Sequence, residues 1–163
     1  MSTTTGALVT TFVISGLTYG IYKLVDSESP RERLVRIALA DVGKAGVGPV
    51  ACAQVGYPNV DYKAWCQIWI LAKLREARLT DVQWQIGKGF VGQLGLPVTG
   101  APKPGDLAYW HSPRQHMGIV VSGGPDLASL TTVDGAQAGD LVDVVAHRVG
   151  AQPVYYSIER LVT

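Results

Sequence analysis

The sequence is poor in cysteine and in charge, and both features exclude classes of protein. Two cysteines, Cys52 and Cys66, are too few for a scaffold built on disulfides, although they could form one bond. Charged residues make up 17% of the chain, with 14 basic and 13 acidic side chains, and no block of like charge forms a tail. This balance argues against a nucleic-acid partner.

Motifs for metals and nucleotides are also missing. The sequence has no H-x-x-x-H pair and no C-x-x-C pair, and its three histidines are not clustered at the spacing of metal ligands. No G-x-G-x-x-G motif follows a predicted strand, and there is no P-loop. We therefore expect neither a metal nor a cofactor.

The N-terminal segment differs from the rest of the chain. Residues 1–22 contain no charged side chain, and Ala7 to Val25 is mostly apolar, close to the ~20 residues that cross a bilayer. Gly16 and Gly20 have the spacing that lets two helices approach closely in lipid. The segment lacks the basic start and the cleavage site of a secretory signal. We predict an N-terminal hydrophobic helix over residues 7–25, which either spans a membrane or packs in an assembly.

A polar linker, Asp26 to Pro30, separates this segment from a domain that we place at residues 29–163, leaving 1–28 as the N-terminal helix and linker. Ser29 and Glu32 form a capping-box pattern with Pro30 at the first helical position, and the apolar stripe that follows predicts a helix ending near Gly43. Residues 43–59 are rich in Gly, Pro and small residues, which indicates a loop containing Cys52.

The next helix is predicted to be central. Residues 64–72 are apolar almost all round, as in a helix buried in the core, and Cys66 lies in its first turn. The helix becomes polar at Lys73, where it should emerge into solvent. A second capping-box pattern, Thr80 to Gln83, predicts a short helix to Ile86, and residues 87–104 should be irregular because of their glycines and prolines.

Strand-like segments fill the C-terminal half. Helices first and strands afterwards predict an α+β domain with an antiparallel sheet. Asp134-Gly135 and other glycine-containing turns punctuate the segments. The predicted strands are Leu107–Trp110, Met117–Val121, Ser129–Val133, Leu141–Val149 and Val154–Ile158.

Cys66 is the candidate nucleophile. A cysteine at a helix N-terminus and beside a histidine is held as the reactive thiolate, and the histidine serves as general base. The alternative is that Cys66 is an inert side chain of the core, as buried cysteines commonly are.

Three histidines compete for the role of base. His116 opens a predicted strand, where its side chain could face the start of the Cys66 helix. His111 lies in a loop, as solvated histidines often do, and His147 lies inside a strand beside Arg148, which favours a structural role. Position therefore favours His116.

An imidazole that acts as base needs an acceptor to fix its tautomer. Asp134 follows the strand after that of His116, so antiparallel pairing would bring the two together. The alternative is that Asp134-Gly135 is a hairpin turn, since Asp-Gly is a common turn dipeptide. Asp106, in Pro104-Gly105-Asp106, also fits a turn.

Three blocks together resemble the CHAP and NlpC/P60 group of papain-like cysteine hydrolases. They are Trp65-Cys66 with its apolar helix, the segment from Pro102-Lys103-Pro104-Gly105-Asp106 to Gln115-His116-Met117-Gly118-Ile119-Val120-Val121, and Thr131-Thr132-Val133-Asp134-Gly135. Two departures are Gln67-Ile68-Trp69, where a small-small-Phe run is common, and Ala136, where many relatives have Asn.

The resemblance implies a papain-like core in which the Cys66 helix packs on an antiparallel sheet, and a Cys66-His116-Asp134 triad. It implies an amidase or endopeptidase that cuts amide bonds of peptidoglycan, from a phage or a bacterium. Tyr62 and Gln67 are candidate oxyanion donors.

The implied location is virion-associated or membrane-anchored, acting in the cell envelope. Basic residues follow the N-terminal helix and none precedes it, which would hold the domain in the cytoplasm, so a virus particle or an export machine fits better. The alternatives are a structural or membrane protein of a virus particle with a vestigial hydrolase fold, and a secreted toxin-type amidase.

Overall fold

The computed structural model describes residues 28–58, 65–84, 89–111, 115–123, 130–137, 140–146 and 152–162. This part of the chain is a mixed α+β fold with five helices and one six-stranded antiparallel sheet, in agreement with the predicted class. The helices are α1 (Pro30–Leu39), α2 (Val47–Val55), α3 (Cys66–Glu76), α4 (Phe90–Leu94) and α5 (Glu159–Val162). The strands are β1 (Val98–Thr99), β2 (Leu107–Trp110), β3 (His116–Ser122), β4 (Thr131–Gln137), β5 (Leu141–Ala146) and β6 (Val154–Tyr156).

Helix α1 begins with the predicted capping box. The Oγ of Ser29 accepts a hydrogen bond from the N–H of Glu32 at 3.2 Å, and the Glu32 carboxylate accepts one from the N–H of Ser29 at 2.8 Å. Pro30 occupies the first turn, where its missing N–H has no consequence. Leu34 and Ala38 are the buried face of this helix.

Helix α2 corrects the expected loop around Cys52. Gly46 and Gly56 have φ of 73° and lie just outside the two ends of the helix, so they terminate it and do not disrupt it. Pro49 is in the first turn, where it removes no helical hydrogen bond. Cys52 therefore lies in a helix and is fully buried.

Helix α3 forms the centre of the core, as its apolar sequence predicts. Ile68, Trp69 and Leu71 are fully buried, and each such side chain contributes about 1.5–3 kcal/mol relative to an exposed one. The expectation that the helix emerges into solvent from Lys73 onward is confirmed at Glu76 and Arg78, which are exposed, but was wrong for Lys73 itself. The Lys73 ammonium is buried and lies 2.7 Å from both the Asp41 and the Glu76 carboxylates, which offset the cost of removing it from water.

The short helix predicted from Thr80 is absent from residues 80–84. The Thr80 hydroxyl accepts a hydrogen bond from the N–H of Val82, which closes a local turn. The N–H of Trp84 donates to the carbonyl of Val55 at the end of α2. The segment 87–104, predicted to be irregular, includes α4 and β1 among its described residues.

The sheet has the strand order β1-β6-β2-β3-β4-β5. Strand β2 matches the predicted bounds, and β3 runs from one residue before to one residue after its predicted bounds. On one face, side chains of β2 to β5 pack into the cluster that contains the helices; on the other, Ala108, Val120, Leu130 and Tyr155 form a smaller cluster. Register places Trp110 opposite His116 and Gly118 opposite Asp134.

The buried Asp106 carboxylate joins three parts of the fold. It accepts hydrogen bonds from the Lys103 N–H, which closes the predicted turn, and from the N–H of Ile158 before α5. It also forms an ion pair of 2.7 Å with Arg31 of α1. Its role is therefore to join the start of β2 to α1 and to the C-terminal segment.

The predicted N-terminal helix, residues 7–25, lies outside the described residues. None of the helices in the described part of the chain has both the length and the hydrophobicity that crossing a bilayer requires.

Candidate active site

Cys66 is the first residue of α3, and its side chain is only 4% exposed. The residue before it, Trp65, is the N-cap, and the Trp65 carbonyl accepts the first helical hydrogen bond, from the N–H of Trp69 at 2.8 Å. Among the described residues, no side chain caps this end of the helix. Cys66 therefore lies at the positive end of the helix dipole, in the turn whose N–H groups have no partner within the helix.

His116 is the first residue of β3 and lies beside Trp110 on the neighbouring strand. The two rings are 5.9 Å apart between centroids and are tilted by 34°. The Nε2 atom of His116 is 2.9 Å from Oδ2 of Asp134, and the His116 side chain is 23% exposed. The ring is thus fixed by a carboxylate and supported by an indole.

The electrostatic surroundings of His116 favour its charged form. Burial lowers the pKa of the ring, but hydrogen bonds to Asp134 and to Cys66, and the charges of both groups, raise it from 6.5 to about 10. The ring is therefore an imidazolium at neutral pH, and it lies within hydrogen-bonding reach of both Asp134 and Cys66. The structure thus brings all three predicted residues into one site.

Asp134 lies within strand β4, which corrects the expectation that Asp134-Gly135 interrupts the strands as a turn. Asp134 pairs with Gly118 on β3 and with Asp143 on β5. A Cβ atom on Gly118 would overlap Oδ1 of Asp134 and lie 2.8 Å from its Cγ. The glycine two residues after His116 therefore provides the space for the carboxylate that His116 contacts.

Gln137 is a further polar residue at the site, and our sequence analysis missed it. Its side-chain amide is 3.1 Å from Nε2 of His116. Nε2 of His116 donates its proton to Asp134, so it cannot also accept a hydrogen bond from the amide nitrogen. The Gln137 amide therefore turns its oxygen toward Nε2, which a half-turn of the amide group achieves. Nε2–H then has two acceptors.

A β-bulge brings Asp134 and Gln137 to the same ring. Residues three apart in a regular strand point to opposite faces of the sheet. The pairing of β4 with β5 shifts between Asp134 and Gln137, and Ala136 inside the shift has φ of 58°. A spacing rule for regular strands could not find Gln137, and no turn-forming glycine at position 136 signals the bulge.

A groove of about 370 Å³ is lined by Gln67, the residue after Cys66, and by Gly92, Tyr109, Met117 and Tyr156 among others. Burial, and then Tyr156 and Cys66, raise the pKa of the Tyr109 phenol, while a hydrogen bond from Gln67 lowers it in part. The described residues that line the groove carry no formal charge at neutral pH.

The other sequence candidates are not in this cluster or cannot be placed. The exposed His111 packs edge-on against Tyr109, with ring centroids 4.4 Å apart. His147 and Tyr62 lie outside the described residues. Burial raises the pKa of the Cys52 thiol, which keeps it protonated. Among the described residues, no group of three or more His, Cys, Asp or Glu side chains is placed to hold a metal ion.

Comparison with protein-family models, with curated proteins and with solved structures gives no match for this chain.

Proposed function

We propose that the protein is a cysteine hydrolase of amide bonds, with Cys66 as nucleophile, His116 as base and Asp134 as the residue that orients His116. The observation that supports this most strongly is the His116 ring, held by Asp134 at 2.9 Å and hydrogen-bonded to Cys66, with its pKa raised by both. A cysteine buried only for packing would not need a charged histidine fixed by a buried carboxylate.

The reaction is acyl transfer to water. In the reactive state His116 holds the proton that Cys66 has given up, and the thiolate attacks the carbonyl carbon of the amide. The C–N bond breaks, the amine leaves with the proton that His116 returns, and a thioester forms on Cys66. His116 then accepts a proton from water, and hydroxide attack releases the acid and the free thiol.

The negative oxygen of each tetrahedral intermediate needs donors. The Cys66 N–H at the start of α3 is one, because it has no partner within the helix. Gln67 is our candidate for the second donor, since it borders both the nucleophile and the groove.

We propose peptidoglycan as the substrate, on the resemblance of the three sequence blocks to CHAP and NlpC/P60 hydrolases. The papain-like arrangement that this implies fits a nucleophile helix packed on an antiparallel sheet. An uncharged groove beside Cys66 suits a segment of the peptide stem with small neutral side chains. The apolar segment at residues 7–25 would place the enzyme in a virion or at a membrane.

Zymography on cell-wall substrate tests this proposal. Cys66→Ala should abolish clearing because the nucleophile is lost. Cys52→Ala is the matched control: it removes a thiol of the same size from α2 and should retain most of the activity.

Two outcomes would contradict the assignment. Clearing by Cys66→Ala equal to that of wild type would exclude Cys66 as nucleophile. A wild-type protein that folds but clears no wall substrate would favour the alternative of a virion protein with a vestigial hydrolase fold.

A further inference from the structure

The side chain that precedes the nucleophile is enclosed between two glycines. A Cβ atom on Gly48 of α2 would lie 2.7 Å from Nε1 of Trp65, and one on Gly135 of β4 would lie 2.6 Å from its Cζ3. Contacts this short are not tolerated, so both positions must be glycine while the indole occupies this place. Trp65 is itself 1% exposed.

The polar edge of the same indole points to the sheet. Nε1 of Trp65 donates a hydrogen bond of 2.6 Å to Oδ1 of Asp140. Asp140 is an exposed residue with φ of 62°, a left-handed conformation that Asp tolerates better than most residues. A buried donor is thus satisfied by a residue at the tip of the β4–β5 hairpin.

Asp140 is linked to His116 through a single residue, Gln137. Its N–H donates to the carbonyl of Gln137 at 2.9 Å and closes the hairpin turn. The Gln137 side chain in turn contacts His116. A continuous set of contacts therefore runs from the N-cap of α3, through Asp140 and Gln137, to the imidazole.

We propose that Trp65 and Asp140 are positioning residues whose hydrogen bond sets the placement of Cys66 relative to His116. The inference rests on the proposed function and deepens it. Trp65 is covalently next to Cys66 and fixes the end of α3, while Asp140 fixes the hairpin that carries Asp134 and Gln137. This bond adds a directional contact to the apolar packing between the helix end and the hairpin, and apolar packing alone resists sliding less than a directional hydrogen bond does.

The same helix offers a matched control. Trp69, one turn after Trp65, donates from its Nε1 to the Asp41 carboxylate at 3.1 Å. This second indole–carboxylate bond joins α3 to the segment after α1, and its acceptor, Asp41, does not belong to the β4–β5 hairpin. Trp69→Phe therefore has a similar packing cost but should leave the alignment of Cys66 and His116 intact.

The experiment measures the rate at which iodoacetamide alkylates Cys66 in the full chain, between pH ~5 and ~9, with the modified peptide identified by mass spectrometry. Asp140→Gly removes the acceptor and relieves the left-handed φ, whereas Asp140→Asn keeps both an acceptor oxygen and that conformation. We expect Asp140→Gly and Trp65→Phe to lower the rate at neutral pH by about tenfold, through misalignment of Cys66 and His116. Asp140→Asn and Trp69→Phe should match wild type.

The outcomes separate this inference from the proposed function. Alkylation that is equally fast in Asp140→Gly and wild type overturns it, as does an equal loss in Trp65→Phe and Trp69→Phe. An equal loss in Asp140→Asn and Asp140→Gly overturns it too, since the acceptor would then not matter. If wild type cuts no wall substrate but its thiol reactivity depends on Asp140 as expected, the positioning role stands and the proposed substrate fails.

Discussion

His116 connects the chemistry of the site to the stability of the fold. Its pKa is raised from 6.5 to about 10, so the folded chain binds its proton more tightly than the unfolded chain does. The stabilisation is therefore complete below pH 6.5 and is lost as the pH rises through about 10. The free energy of unfolding of wild type should exceed that of His116→Gln by the largest amount near pH 6.5 and by a decreasing amount up to pH 10.

Urea unfolding of both proteins across this range measures the difference. If the difference between the two free energies of unfolding did not change with pH, His116 would not be held as an imidazolium in the folded protein. Wall hydrolysis should also fall as the pH approaches 10, because the ring then loses the proton that it returns to the leaving amine.

Gly118 gives a second test at the level of single residues. A methyl group in Gly118→Ala would overlap the Asp134 carboxylate and displace it from His116. We expect turnover to fall by about 10²-fold from this misplacement and stability to fall by about 1–3 kcal/mol from overpacking. Gly100→Ala is the control, because a Cβ at Gly100 has no neighbour within 4 Å. Normal turnover in Gly118→Ala would mean that Asp134 does not orient the base.

The sequence predicted Cys66 and His116 from residue type and position, and Asp134 only through the family resemblance, since Asp-Gly by itself favours a turn. It could not predict Gln137, because the bulge at Ala136 changes which side chains share a face. Asp140 was also out of reach, since an exposed hairpin aspartate has no sequence feature that assigns it a buried indole as partner. The periodicity of a sequence cannot predict contacts that depend on irregular backbone.

Helix α4 forms a wall of the groove, and Gly92 within it tests whether the groove binds substrate. A Cβ on Gly92 would meet nothing within 4 Å, and the residue has no left-handed φ, so Gly92→Leu should not strain the fold. The added side chain should occupy the groove and raise KM for wall fragments by about tenfold or more, as for other blocked apolar subsites. Alkylation of Cys66 by the small iodoacetamide should be unchanged.

Gly100→Leu, at an equally open position outside the groove lining, is the matched control. Unaltered KM and kcat in Gly92→Leu would show that substrate does not enter this groove.

Among the helices and strands, apolar periodicity predicted the positions of the elements well. The interpretation of glycines as loop or turn residues predicted them poorly. The stripe of α1, the apolar run of α3 and the β-prone segment of β2 gave elements close to those observed. Gly46 and Gly56 were interpreted as loop residues although they terminate α2, and Gly135 as a turn residue although it lies inside β4 against Trp65. In each case glycine meets a requirement of packing or helix termination that only the folded structure reveals.

On the scale of the whole molecule, residues 29–163 should form an independent domain. Among the residues that the structure describes, both clusters of buried apolar side chains consist of residues from Leu34 onward. Glu28 forms an ion pair with Arg36, so removal of residues 1–27 keeps this contact and the capping box. We expect the truncated protein to fold, to be soluble without detergent and to hydrolyse wall substrate at the full-length rate.

Circular dichroism, gel filtration and zymography of the truncated and full-length proteins measure these properties. An aggregated or unfolded truncated protein would place residues 1–27 in the core of the domain and contradict the proposed boundary.

In the hydrolase that we propose, the bulge at Ala136 lowers stability in exchange for the contact between Gln137 and His116. Alanine adopts a left-handed conformation at a cost of about 1–2 kcal/mol, and a strand without the extra residue would form more ladder hydrogen bonds. That regular strand would turn Gln137 away from His116. Without selection for activity, substitutions that remove backbone strain are retained. A descendant that had ceased to catalyse would therefore tend to lose this distortion early. Among descendants of the proposed hydrolase, the strained bulge would therefore distinguish active enzymes from proteins that keep only a structural role.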